Sequence, residues 1–90
     1  MSDCRTKEDT DALVRRLNRI EGQVKGIKNM LIEDRKCMDI LNQIRSVNAA
    51  MKSVWAIIAA KHIENCLANA DAKEKHETIE EIISHLQQLR

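Results

Sequence analysis

The segment MDILNQIRSVNAAMKSVWAIIAAKHIENCLANA, residues 38–70, decides the fold because it contains neither glycine nor proline. Its apolar residues recur at steps of three and four, a pattern typical of one helix side. They are Ile40, Leu41, Ile44, Val47, Met51, Val54, Trp55 and Ile58. The segment predicts one long helix with a wide apolar face. We expect Asp34 to be its N-cap, which would make Cys37 the third residue of the helix.

Two further segments with helical periodicity flank this one. The earlier segment carries its apolar residues at alternating steps of four and three: Leu13, Leu17, Ile20, Val24, Ile27 and Leu31. Either Thr6 with Asp9 or the pair Asp9-Thr10 can cap its start. The later segment, with apolar residues from Ile79 to Leu89, predicts a short third helix. The sequence therefore predicts an all-α subunit of three helices in a single domain spanning 1–90.

Composition limits the classes of protein this chain can belong to. A chain of 90 residues buries a modest core, so we expect an oligomer. No segment approaches the roughly 18 apolar residues of a membrane span, and the start does not resemble a signal peptide. We therefore expect a cytoplasmic protein without a membrane partner. Its three cysteines, Cys4, Cys37 and Cys66, would there be reduced thiols suited to metal or redox chemistry.

His62 and Cys66 have the spacing of two metal ligands on one helical turn. Cys37, on the same predicted helix, would lie almost 40 Å from His62, given the rise of about 1.5 Å per residue. An antiparallel pair of these helices, crossing near residues 50 and 51, would bring Cys37 of one copy beside His62 and Cys66 of the second copy. Small residues would permit close approach at that crossing: Ser46, Ala49, Ala50 and Ser53.

Two thiolates and one imidazole form a soft ligand set. Such a set suits Cu(I) well, and Zn(II) or Ni(II) are the alternatives. Arg35, Lys36 and the positive end of the helix dipole near Cys37 favour a thiolate there. The alternative interpretation of these cysteine and histidine residues is that they belong to a buried core.

A basic face lies opposite the apolar residues of the first helix. Arg15, Arg19, Gly22 and Gly26 cluster on it, and Arg16 and Gln23 flank them. Glycine within a helix costs up to about 1 kcal/mol relative to alanine, so two on one face indicate the close approach of another molecule. DNA phosphates and a second helix are both possible occupants.

Three stretches together resemble the CsoR/RcnR family of bacterial metal-responsive transcriptional repressors. They are RLNRIEGQVKGIKNMLIED, CMDILNQIRSVNAAM and KHIENC. The resemblance implies an antiparallel dimer forming a four-helix bundle, two of which assemble into a homotetramer. It also implies binding to double-stranded operator DNA that weakens when the inducer binds.

Within that family the chain is most similar to the copper(I)-sensing branch. The resemblance implies trigonal Cu(I) coordination by Cys37, His62 and Cys66, with Glu81 orienting the imidazole. Cys4 lies near the position of an additional ligand in nickel and cobalt sensors. Lys36 replaces a tyrosine common in copper sensors. Ser53 replaces an arginine of the predicted long helix, which leaves the neighbouring Lys52 as a candidate DNA contact.

Several other functions remain open. Cys37 and Cys66 without a metal would suit a persulfide sensor, and a metal chaperone or a purely structural oligomer would not bind DNA. His76 and His85 lack a paired ligand in sequence, so we interpret both as surface residues. An enzyme is not predicted, because the chain offers no convergent acid/base set, phosphate loop or catalytic triad.

Overall fold

The computed structural model describes residues 6–66 and 71–88, and for Asn65 and Cys66 it describes the backbone alone. These ranges form three helices: α1 at Lys7–Ile32, α2 at Cys37–Cys66 and α3 at Ala72–Gln88. The all-α prediction is confirmed, while Leu89 of the predicted third helix lies outside the described residues. None of the three helices is long and apolar enough to cross a membrane.

Helix α1 begins with a capping box, the first of the two caps that the sequence allows. The N–H of Asp9 donates to Oγ1 of Thr6 at 3.1 Å, and the N–H of Thr6 donates to Oδ2 of Asp9 at 3.2 Å. Both backbone donors would otherwise lack an intrahelical partner. The start of α1 is therefore closed by its own side chains.

Asp34 ends α1 rather than starting α2, so its predicted role as an N-cap is wrong. Its φ is 57°, whereas an N-cap residue has an extended backbone. The N–H of Asp34 donates to the carbonyl of Leu31 at 3.2 Å, and that of Arg35 donates to the carbonyl of Met30 at 3.0 Å. This pair of bonds is the Schellman motif, in which one residue adopts the left-handed conformation.

Helix α2 starts later than the sequence indicates. The carbonyl of Lys36 accepts the N–H of Asp39 at 3.1 Å and that of Ile40 at 3.2 Å. Lys36 therefore occupies the cap position, and Cys37 is the first residue of α2 rather than the third.

Helices α1 and α2 form an antiparallel hairpin around a small core. Leu13 and Ile20 of α1 and Val54 of α2 are the buried apolar residues of the described chain. Partly buried residues surround them: Leu17, Val47, Ala50 and Ile57. Helix α3 packs on the C-terminal half of α2.

The chain is too open to be a compact globular unit. Its extents are 55 × 28 × 15 Å and its radius of gyration is 16.9 Å, against about 12 Å for a globular chain of this length. Its accessible surface of 7165 Å² exceeds the roughly 5,400 Å² typical of a folded monomer of this mass. Much apolar surface is therefore left for contact with another molecule.

The role of Asp34 can be tested by two substitutions. We expect Asp34→Gly to raise the free energy of unfolding by up to about 1 kcal/mol, because glycine adopts a positive φ without steric cost. Asp34→Ala should lower it by about 1 kcal/mol. Urea denaturation of both variants at one protein concentration checks this. If Asp34 capped α2, both substitutions would instead destabilise the protein.

Candidate functional site

Cys37 is exposed at the first turn of α2, where it is a free thiol. His62 lies near the other end of the same helix and is half-buried. The two residues are separated by about 38 Å along the helix axis. Because the helix turns by about 100° per residue, their directions around the axis nevertheless differ by only roughly 20°. The side chain of Cys66 lies outside the described part of the chain. Cys37 and His62 therefore share one side of α2, to which the helical periodicity of the sequence also assigns Cys66.

That side of α2 carries a row of exposed apolar residues between the predicted ligands. Their exposed fractions are 55% for Leu41, 40% for Ile44, 44% for Met51 and 39% for Ile58. We call this the ligand side of the hairpin. In residues 6–66 and 71–88, no three histidine, cysteine or acidic side chains lie close enough to hold a metal ion. The predicted ligands are therefore not brought together within the described part of a single chain.

His62 lines a groove of about 270 Å³ between α2 and α3. The groove is lined by Trp55, Ile58, Ala59, His62, Glu81, Ile82 and His85. Glu81 thus lies at the same groove as His62, where a carboxylate can orient an imidazole. His85, which the sequence indicates only as a surface residue, lines this groove as well. Its position four residues after Glu81, on the same side of α3, is the signal in the sequence that could have placed it there.

Of the small residues predicted at the helix crossing, one packs against the core and three lie away from the ligand side. Ala50 packs against the core of Leu13, Ile20 and Val54. Ser46, Ala49 and Ser53 are exposed, and their directions around α2 are roughly opposite to the ligand side. A crossing through the ligand side would therefore use Ile44 and Met51, not the small residues.

The arginines of α1 are exposed, and Arg16 and Arg19 lie on the same side of the hairpin as Ser53. We call this the basic side. Lys52 and Arg15 are also exposed. A Cβ atom added at Gly22 or Gly26 would meet nothing within 4 Å. Among the described residues, therefore, packing does not require either glycine, and the space beside both is open.

Gln23 differs from the arginines among the predicted DNA contacts. Its side chain is half-buried, and its Oε1 is buried without a hydrogen-bond partner in the described residues.

An ion pair connects the start of α1 to the last turns of α2. Nζ of Lys61 lies 3.7 Å from Oδ1 of Asp9 and 3.7 Å from Oε2 of Glu64. The backbone hydrogen bond from Thr6 is the main cause that holds the pKa of Asp9 below its ordinary value, and Lys61 adds to it. No local pattern in the sequence indicates the pairing of Lys61 with Asp9, because the two residues are far apart in the chain.

Sequence comparisons place these features in a known family. Residues 9–88 match the family model described as "Metal-sensitive transcriptional repressor". The chain is 47% identical over 66 residues to the copper-sensing transcriptional repressor CsoR of Bacillus subtilis, covering 73% of this chain and 65% of that protein. It is 39% identical over 66 residues to the copper-sensing transcriptional repressor RicR of Mycobacterium tuberculosis, covering 73% and 69% respectively.

Two solved structures have similar folds. The crystal structure of the copper-sensing repressor CsoR with Cu(I) from Geobacillus thermodenitrificans matches with a TM-score of 0.79 and 36% identity, covering 93% of this chain and 88% of that one. The nickel-responsive transcriptional regulator InrS matches with a TM-score of 0.71 and 30% identity, covering 97% and 96%. The family consists of transcriptional repressors and not of enzymes. By sequence and by fold, the chain belongs to the family of metal-sensitive transcriptional repressors.

Proposed function

We propose that this protein represses transcription by binding operator DNA in its metal-free form and releases the DNA when Cu(I) binds. The metal site lies between two subunits and consists of Cys37, His62 and Cys66. One observation carries the proposal: Cys37 and His62 lie at opposite ends of one side of α2, and the apolar residues between them remain exposed among the described residues. Such a repressor would act in the cytoplasm.

A second copy of the chain completes the metal site. If two α2 helices pair antiparallel through their ligand sides, residues whose numbers sum to about 100 lie opposite one another. Cys37 then lies opposite the turn that carries His62 and Cys66. The same pairing covers the exposed apolar row, which accounts for part of the excess accessible surface. A homodimer of this kind, which pairs further into a homotetramer, is the proposed assembly.

The pairing predicts different effects for two neighbouring substitutions. We expect Met51→Glu to raise the dimer dissociation constant by roughly a hundredfold or more, because it buries unpaired like charges at the crossing. Ala49→Glu, on the basic side, should leave the dimer intact. Sedimentation of both variants across a concentration series measures this. Dissociation by Ala49→Glu alone would indicate that the small residues form the crossing instead.

The donor set favours Cu(I) as the inducer. Cu(I) accepts three ligands and prefers sulfur, so two thiolates and one imidazole satisfy it without a further donor. Glu81, at the same groove as His62, can accept a hydrogen bond from the ring nitrogen that does not bind the metal. The relatives described as copper-sensing support this assignment.

A nickel- or zinc-responsive repressor is the second candidate, and the position of the start of α1 favours it. The contact between Asp9 and Lys61 places this start beside the turn that precedes His62. Cys4 lies outside the described residues, but its separation from Thr6 is at most about 7 Å of extended chain. A fourth ligand from Cys4 would suit Ni(II) or Zn(II). The fold similarity to the nickel-responsive InrS supports this alternative.

The cysteine variants distinguish the two candidates. We expect Cys37→Ala and Cys66→Ala to abolish metal-dependent DNA release, whereas Cys4→Ala leaves Cu(I) affinity and release within about twofold of wild type, because trigonal Cu(I) needs no fourth ligand. X-ray absorption of the Cu(I)-loaded protein should report three ligands. Loss of the response in Cys4→Ala, or release by four-coordinate Ni(II) and not by Cu(I), would establish the second candidate.

The basic side of the hairpin is the proposed DNA surface. Its candidate contacts are Arg16, Arg19 and Gln23, together with Arg15 and Lys52, which lie on the outward faces of α1 and α2. The exposed arginines offer charge to phosphates, and the open space beside Gly22 and Gly26 lets the DNA backbone approach α1 closely. The amide of Gln23 and the ammonium of Lys52 would extend this surface as hydrogen-bond donors.

Salt dependence tests this surface directly. We expect Arg16→Ala and Arg19→Ala to weaken DNA binding and to reduce the slope of log K against log salt by about 0.9 for each phosphate that is no longer neutralised. Lys28→Ala is the matched control, since it removes a charge from α1 on the ligand side. If Lys28→Ala reduced the slope and both arginine variants did not, DNA would bind on the other side.

A further inference from the structure

We propose that the Lys61–Asp9 ion pair transmits occupancy of the metal site to α1, the helix that faces DNA. Lys61 directly precedes the proposed ligand His62, and its Nζ reaches Oδ1 of Asp9 across the hairpin at 3.7 Å. This inference rests on the proposed function, because it names the contact that couples its two sites. It makes Lys61 and Asp9 positioning residues that bind neither metal nor DNA.

Asp9 is suited to this role because it belongs to the start of α1. Its carboxylate accepts the N–H of Thr6 at 3.2 Å while it also pairs with Lys61. Its side chain is only 20% exposed, so solvent screens the ion pair less than a fully exposed one. The group that caps α1 is therefore held by the turn of α2 that carries His62.

Lys61 has two carboxylate partners between which it can move. Its Nζ lies 3.7 Å from Asp9 on α1 and 3.7 Å from Glu64 on α2. Glu64 lies between His62 and Cys66, so metal binding by both ligands fixes the turn that carries it. The lysine ammonium is a point charge on a flexible stem. In this structure Nζ lies equally far from both carboxylates, so a shift of the turn on metal binding would favour one over the other. These two pairings are the arrangements that coupling requires.

Helix α1 can carry this change to the DNA surface. It is uninterrupted over Lys7–Ile32, and Asp9 lies about 15 Å along it from Arg19. A change in how the start of α1 is held therefore alters the direction of the arginine-bearing turns relative to α2. The basic side is built from both helices, so its fit to DNA depends on that relation.

The coupling is measured as the ratio of the DNA dissociation constants of the Cu(I)-loaded and metal-free protein. The DNA is a duplex selected from random sequences by the metal-free protein. We expect Lys61→Met to lower this ratio by about two- to tenfold and to leave Cu(I) affinity within about twofold. Asp9→Asn should lower it similarly, and the double variant should lower it no further than either single variant.

Two variants separate coupling from a general loosening of the hairpin. Thr6→Ala weakens the cap of α1 but keeps the charges of Lys61 and Asp9. Its ratio of DNA dissociation constants should therefore match that of the wild-type protein. Lys61→Arg retains the charge and should restore most of the ratio. This inference is overturned if Lys61→Met keeps the wild-type ratio of DNA dissociation constants, or if Thr6→Ala lowers that ratio as much as Lys61→Met does. The proposed function stands in either case. A wild-type protein whose DNA affinity does not respond to Cu(I) removes the proposed function and this inference together.

Discussion

The length of the unbroken helix α2 constrains everything else in this protein. Cys37–Cys66 forms one helix, so residues at its two ends cannot meet in one chain, yet helical periodicity directs Cys37 and His62 to the same side. The exposed apolar row between them is too large to remain in water without cost. An antiparallel second copy removes both difficulties at once, and this is why we assign assembly and metal binding to one surface.

The hairpin separates two proposed activities onto opposite sides. The ligand side carries the apolar row and the groove at His62, and the basic side carries the exposed arginines of α1. In this proposal metal and DNA do not compete for the same atoms, so release of DNA would require a change in the relation between the helices. The small core of Leu13, Ile20 and Val54 leaves that relation less rigid than in a larger domain.

Much of the fold could be predicted because helical periodicity is a local property. The apolar steps of α1 and α2 and the capping box at Thr6 all lie within a few residues of chain. The predictions at the α1–α2 connection were less accurate. Asp34 suits an N-cap and a left-handed helix end almost equally by residue type, and only its hydrogen-bond geometry distinguishes them. The small residues of α2 were assigned to the crossing by size alone, whereas Ala50 packs against the core and helical periodicity directs the other three away from the ligand side.

By itself, the sequence determined the helices, the candidate ligands and the basic residues. Side-chain chemistry is a property of each residue, and helical periodicity depends only on residues close together in the chain. Only the tertiary structure decided which side of the hairpin each residue occupies, since that depends on which apolar residues of α1 and α2 pack together. The packing of α3 brought His85 and Glu81 to the groove of His62. The antiparallel packing of the hairpin brought Lys61 to Asp9. Contacts of this kind join residues that are distant in the chain, so no local sequence pattern predicts them.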